Sequence, residues 1–340
     1  MDLRLSDEQQ QLVDAFRSLY AKEASPEQVR AAEPLGFDKG LWQKLLETGV
    51  VGMAVAEDRG GWGASPLDLA LVAEQHGRHV APAPVIEAQV AARLLSRCDA
   101  EPARGALAAA LDGSRLVTIA VRAARGGRAT LVPAGAVADD AIVLDGDRLL
   151  LVPLEGARTL VENMGSMPLA DIEIAADAAV LATGAAAHDL FDRALDDWLL
   201  LTSAALVGIA ARGLEIGVAY VKERYAWGVP IGSFQAIGHR LADSATAVDG
   251  ARLLAYEAAW AGTEEPHRSG ELAAMAFAFA YETARDATYR SLHFHGGYGF
   301  MLEYDIQLYW RRARAWANVL GDPERAYERA ADRRYGAAGG

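Results

Sequence analysis

The sequence predicts an α+β chain laid out as helices, then strands, then helices. Three observations carry that expectation. Apolar residues recur at helical spacing through roughly the first hundred residues. Short β-type runs separated by turn pairs fill a middle stretch. Long apolar helical segments return from about Ala185 and continue to the end. Strands gathered between two helical blocks exclude an alternating α/β sheet. The expected domains are an N-terminal helical domain over 1–112, a small β domain over 113–184 and a C-terminal four-helix bundle over 185–340.

Ser6 followed by Gln9 forms a capping box that opens the first helix, and Leu12, Val13, Phe16, Leu19 and Tyr20 supply its apolar face. A second helix fits Gly40–Thr48 and stops near Gly49. The turn-rich stretch Glu57-Asp58-Arg59-Gly60-Gly61-Trp62-Gly63 then reads as a helix–helix connection. It lacks the Lys and Ser/Thr of a phosphate-binding P-loop. Ser65-Pro66 opens a third helix, largely buried through Leu67, Leu69, Ala70, Val72 and Ala73. In the middle, Leu116–Val121, Ala141–Leu144, Leu149–Val152 and Ala170–Ile174 read as strands, with Gly126-Gly127-Arg128 and Asp145-Gly146-Asp147 as hairpin signals. Further on, Leu195–Val221 is apolar on nearly every side and predicts the central helix of a bundle. A turn at Gly228–Gly232 leads to helices over Ser233–Gly262, Gly270–His293 and Tyr304–Val319.

Composition bounds the partners. With 33 basic and 46 acidic side chains the net charge is −13, which argues against a surface that tracks nucleic acid. The one cysteine, Cys98, makes neither an internal disulfide nor a thiolate zinc site, and fits a reducing, cytoplasmic compartment. The N-terminal residues lack a secretory pattern. The uncharged stretch Trp198–Ala211 is too short to span a bilayer, so no membrane association is expected.

Two segments carry candidate chemistry. Lys222-Glu223-Arg224-Tyr225-Ala226-Trp227-Gly228 closes the central helix; its basic residues either complement the helix dipole or let Arg224 grip a phosphate beyond the helix end. His293-Phe294-His295-Gly296-Gly297-Tyr298-Gly299 has two histidines without an obvious third ligand, so no metal site is read there. Its Gly pair permits close approach of a ligand to backbone N–H groups.

The order of the fragments is more specific than any one of them. Gly-Gly-x-Gly is followed by Ser-Pro-Leu-Asp and Glu74. Then come Arg-x-x-Trp-Gly-x-Pro-Ile-x-x-Phe-Gln and His-Gly-Gly-x-Gly-Phe-x-x-Glu-Tyr. This series resembles the acyl-CoA dehydrogenase family over essentially the whole chain. The resemblance implies FAD as cofactor, shared between subunits, with one subunit clasping the pyrophosphate and adenosine of a flavin whose ring sits in the other. Those clasp roles fall on Arg224, Trp227, Gln235, His293, Gly296 and Gly297. Trp227 stands where the family usually has Phe, and His293 where it commonly has Gln.

Other positions depart from the pattern. The family's base is a glutamate that takes the α-proton of an acyl thioester; the matching position here is Leu320, and a hydrocarbon accepts no proton. Some members place the glutamate on the central helix, where this chain has Trp198, with Asp197 beside it. Asp322 replaces a flavin-contacting Thr/Ser. In the β domain, Arg122–Arg128 keeps a Gly but none of the hydroxyl or carboxylate side chains of the family segment.

The resemblance therefore implies a subunit of an FAD-dependent acyl-CoA dehydrogenase with no assigned catalytic residue. It would pair with a complete homologue in a hetero-oligomer, as short members of actinobacterial-type heterotetramers do. A bulky acyl-CoA, such as a steroid side-chain thioester, is the substrate class by analogy. A self-contained homo-oligomeric dehydrogenase with a relocated carboxylate, Asp197 first, and a flavin-free assembly subunit remain alternatives. The apolar Trp198–Ala211 stretch, with Phe234, Ile237, Leu241, Leu253, Leu254 and Trp260 of the next helix, places the main oligomer contact in the C-terminal bundle.

Overall fold

Ser6 caps the first helix as predicted: its hydroxyl accepts from the Gln9 backbone N–H at 3.2 Å, and the Gln9 side chain accepts from the Ser6 N–H at 3.1 Å. The computed structural model describes residues 4–156 and 158–336. Six helices make up the first block: α1 (Asp7–Glu23), α2 (Pro26–Ala32), α3 (Lys39–Glu47), α4 (Pro66–Arg78), α5 (Val85–Ser96) and α6 (Glu101–Leu111). Ser25-Pro26 and Ser65-Pro66 start α2 and α4 in the same way, a capping box followed by a proline whose missing N–H costs nothing at the first helical position.

The middle block is two small sheets. β1 (Val117–Ile119), β3 (Asp140–Asp145), β4 (Arg148–Pro153) and β7 (Ala179–Thr183) pair in the order β1-β3-β4-β7, with β1 parallel to β3. β2 (Arg128–Val132), β6 (Leu169–Glu173) and β5 (Arg158–Val161) form the second sheet. Gly146-Asp147 turns β3 into β4, pairing Asp145 with Arg148. Gly126 and Gly127, at φ +61° and +74°, turn the chain so that Arg125 bridges Arg128. Both turns were legible as hairpin signals, one a Gly pair and the other Asp-Gly-Asp.

α7 (Gly184–Glu223) is a 40-residue helix, followed by a hairpin of β8 (Tyr225–Ala226) and β9 (Val229–Pro230). α8 (Gln235–Glu264), α9 (Pro266–Phe294), α10 (Ile306–Asn318) and α11 (Arg325–Tyr335) complete the chain. α7 is long and apolar enough to cross a membrane, but 78% of its most apolar window is buried inside the protein. It is a core helix.

Every residue from Trp198 to Ala211 is buried, covered by α4, α5, α9 and α10 of the same chain. This corrects the expectation that the stretch faces another subunit: the N-terminal helices supply the apolar cover that a bundle alone would lack. α4 crosses α7 closely, because a Cβ at Gly208 would overlap the Glu74 carbonyl and one at Gly77 the Ala205 carbonyl. Glu74 adds a polar tie, accepting from Arg252 at 3.0 Å and from the Tyr256 hydroxyl at 2.8 Å. On α8, by contrast, Leu253 and the preceding Phe234 stay exposed, and Ile237, Leu241, Leu254 and Trp260 are half-buried.

Candidate functional site

α7 hands over to α8 through the β8–β9 hairpin, and α9 returns beside both, so three helix termini meet at one end of the bundle. Tyr220 of α7 stacks on His295 after α9, with ring centroids 3.9 Å apart. Arg290 of α9 donates to the Arg240 carbonyl and to the Ser244 hydroxyl of α8, at 3.3 and 3.0 Å. Arg224, Trp227, Gln235, His293, Gly296 and Gly297 all lie at this end, and all are exposed.

Arg224 is the extended residue that ends α7; its carbonyl accepts from the Ile231 N–H at 2.8 Å, fixing the base of the hairpin. Its guanidinium has no partner among the described residues. Trp227 and Gly228 form the two-residue tip, at φ +57° and +79°. A left-handed tryptophan is uncommon, and such residues cluster at functional sites. Its ring stands 94% exposed. Gly296 sits at φ +60°, and a Cβ at Gly296 or Gly297 would meet nothing within 4 Å, so the loop backbone is open to a ligand. Below it, the buried His295 Nδ1 lies 2.7 Å from the Ser291 carbonyl, and burial pushes its pKa down. An exposed guanidinium and open loop backbone at the same end of the bundle suit an anion such as a phosphate.

The second region is a cavity of about 60 Å³ where the α4–α5 connection, the β block, α7 and α10 meet. Trp198 lines it, 1% exposed and packed on Phe277, with its indole near the Glu87 carboxyl. Arg312 lines it too, bonded to Glu33 at 3.3 Å, with burial pulling its pKa down to about 10. His76, stacked on Trp316 and 3.3 Å from the Tyr20 hydroxyl, is pushed down to about 3 by burial, so it is neutral. Val80 and Ala134 on the wall are left-handed, at φ 43° and 56°.

Neither expected base position holds a proton acceptor. Leu320 is half-buried against the core, and Trp198 fills its place. Asp197 is corrected as a candidate: it is held by Arg97 at 2.9 Å and Arg93 at 3.2 Å, in a separate charged cleft. Asp322 is exposed; its carboxylate accepts from the Glu324 N–H and its carbonyl from the Arg325 N–H. Arg122–Arg128 is spent on the Gly126-Gly127 turn. The carboxyl in the cavity is Glu87, in the first turn of α5, which the sequence reading passed over. Burial pushes its pKa up, against the pull of its own backbone N–H and of the Trp198 indole. Its signal was a lone charge among Val85, Ile86 and Ala88, all buried. No group of three His, Cys, Asp or Glu residues suited to a metal ion occurs among the described residues.

Two family models match: the acyl-CoA dehydrogenase N-terminal domain over residues 6–101 and the C-terminal domain over 189–334. Acyl-CoA dehydrogenase IpdE2 of Mycolicibacterium smegmatis is 33% identical, covering 96% of this chain and 98% of its own. The chain belongs to the acyl-CoA dehydrogenase family. Its fold matches a chain of the ChsE4-ChsE5 complex from Mycobacterium tuberculosis with a TM-score of 0.89, 26% identity and full coverage of both chains. A structure described as a Tcur3481-Tcur3483 steroid ACAD variant matches with a TM-score of 0.86 and 26% identity, over 96% of this chain and 98% of that one. Within this family of FAD-dependent oxidoreductases, the chain is similar in sequence and fold to members that assemble as complexes of two different subunits.

Proposed function

We propose that this acyl-CoA dehydrogenase chain is the flavin-clasping subunit of a cytoplasmic hetero-oligomer whose partner supplies the base and the ring-binding cleft. One contrast carries the reading. Arg224, Gln235 and the Gly296–Gly297 backbone are exposed, and the Arg224 guanidinium is unpaired among the described residues, while both base positions hold hydrocarbon or indole. The residues fit half of an FAD: Arg224 would pair with the pyrophosphate, the open Gly296–Gly297 backbone would lie against it, and Trp227, Gln235 and His293 would border the adenosine. They do not fit the other half, since the domain-junction cavity has only about 60 Å³.

FAD, when bound, accepts the hydride from the β-carbon of the acyl thioester. This chain's residues hold the cofactor and position it, and the partner's carboxylate takes the α-proton. The substrate class that the similarity to the steroid ACAD structure supports is a bulky acyl-CoA, such as a steroid-derived thioester. Dehydrogenase assays test the division of labour. The purified chain alone turns over acyl-CoA at background rate, and the complex isolated from its host is yellow and active. Substantial turnover by the single chain defeats the proposal.

A further inference from the structure

We propose that Arg30 of α2 is a positioning residue for the loop that carries Gly296 and Gly297, so that the N-terminal domain sets how tightly this chain holds the cofactor. The proposal rests on the flavin-clasp reading and adds to it a residue from another domain. Between α9 and α10 the chain runs through residues 295–305 with little burial: Tyr298, Phe300, Met301 and Leu302 are exposed. A glycine pair at the head of an exposed loop has much conformational freedom to lose, so the loop needs anchors to keep one shape. Some are local. Gly299 is buried against α9, where a Cβ would overlap the Leu292 carbonyl. Tyr298 stacks on Tyr304, and Phe300 meets Trp310 edge-on, each with ring centroids 5.6 Å apart.

The C-terminal end of the loop is held from α2. Arg30 Nε donates to the Leu302 carbonyl at 2.8 Å, and its Nη2 donates to Asp305 Oδ1 at 2.6 Å. Those acceptors lie five and eight residues beyond Gly297, so Arg30 acts on the shape of the loop and leaves the Gly296–Gly297 backbone open. The two side chains are 25% and 36% exposed, and partial shielding strengthens their attraction over a pair in open water. The guanidinium spans a carbonyl and a carboxylate with two N–H groups in a fixed fork, which a lysine ammonium does not reproduce. α2 is itself a firm base. A capping box opens it, Val29 is fully buried, and Glu33 at its end accepts from Arg311 and Arg312 of α10. One short helix thus grips both the loop and the helix that follows it.

The test uses the assembled complex, stripped of flavin and carrying Arg30→Ala in this chain alone. Hydrogen exchange reads the 296–302 amides, and titration with FAD, followed by flavin fluorescence, reads the clasp. The expected result is exchange about tenfold faster over that loop and FAD bound about tenfold more weakly, with exchange across α3 unchanged. Arg30→Lys, which keeps the charge without the fork, recovers only part of each. Asp305→Asn weakens the pair from the loop side while keeping the side chain's shape. It moves both readouts the same way by about threefold, and it carries the test should Arg30→Ala fail to assemble. Wild-type exchange over 296–302 overturns the proposal, and so does faster exchange with unchanged FAD affinity. Arg224→Ala in the same titration tells the failures apart. Weakened flavin there leaves the clasp standing and removes only the role of Arg30, whereas unchanged flavin removes the clasp itself.

Discussion

The helix-terminus end of the bundle and the domain junction use similar residue types in opposite ways. Both have arginine, histidine, tryptophan and left-handed backbone. At the bundle end, Arg224 is exposed and unpaired among the described residues, Trp227 is 94% exposed, and Gly296 and Gly297 face open space. At the junction, Arg312 is bonded to Glu33, His76 to the Tyr20 hydroxyl, and Trp198 fills a core position at 1% exposure. A group left without an internal partner is available to a ligand; one committed inside the chain supports the fold. On the proposed reading, the contrast separates the half of a composite site that this chain would keep from the half it would leave to a partner.

Substitutions sharpen that contrast, beginning with the α4–α7 crossing in the core. Gly208→Ala should cost about 4 kcal/mol or more, because its Cβ would overlap the Glu74 backbone where α4 and α7 cross. Chemical denaturation of wild type and variant measures it, and an unchanged midpoint would mean the helices move apart easily.

Acid stability reports the next largest effect. His76 has a folded pKa of about 3, below its unfolded value near 6.5. The unfolded state therefore binds the extra proton between those values, so stability falls as pH drops through that window. Going from pH 7 to 4.5 should cost about 2–3 kcal/mol through this residue. His76→Gln removes that share of the slope. Identical pH profiles for wild type and variant would show that His76 charges without penalty.

The smallest effect on stability belongs to the clasp. Gly297 has ordinary φ and open space around it, so Gly297→Ala should shift stability by no more than about 0.5 kcal/mol. Its added methyl nonetheless stands where the pyrophosphate would approach, and flavin content should drop. Retained flavin at full occupancy would place the cofactor away from this loop.

Much of this was readable from residues, for identifiable reasons. Capping chemistry is local, so Ser6 and Ser65 announced α1 and α4, and Gly126-Gly127 and Gly146 announced turns. β5 escaped because Arg158, Thr159 and Leu160 are exposed and carry no burial pattern, and β2 because its register shifts between Ala129 and Val132. The hairpin tip was missed because Trp-Gly is not the usual pair at two left-handed positions. The proposed clasp residues were picked out through their order along the chain, whereas their convergence depends on the ends of α7 and α9 meeting the start of α8. Glu87 was invisible for a different reason: its cavity is assembled from segments between residues 36 and 316, which no local pattern reports. The fate of the Trp198–Ala211 face was likewise a question of which neighbour covers it.

The most direct measurement is the FAD content of the assembled complex carrying Arg224→Ala in this chain alone. A charge-assisted bond from Arg224 to the pyrophosphate predicts flavin held about tenfold to hundredfold more weakly, with helical content and assembly unchanged. Full flavin occupancy at wild-type affinity would contradict the account and return Arg224 to a charge at a helix end.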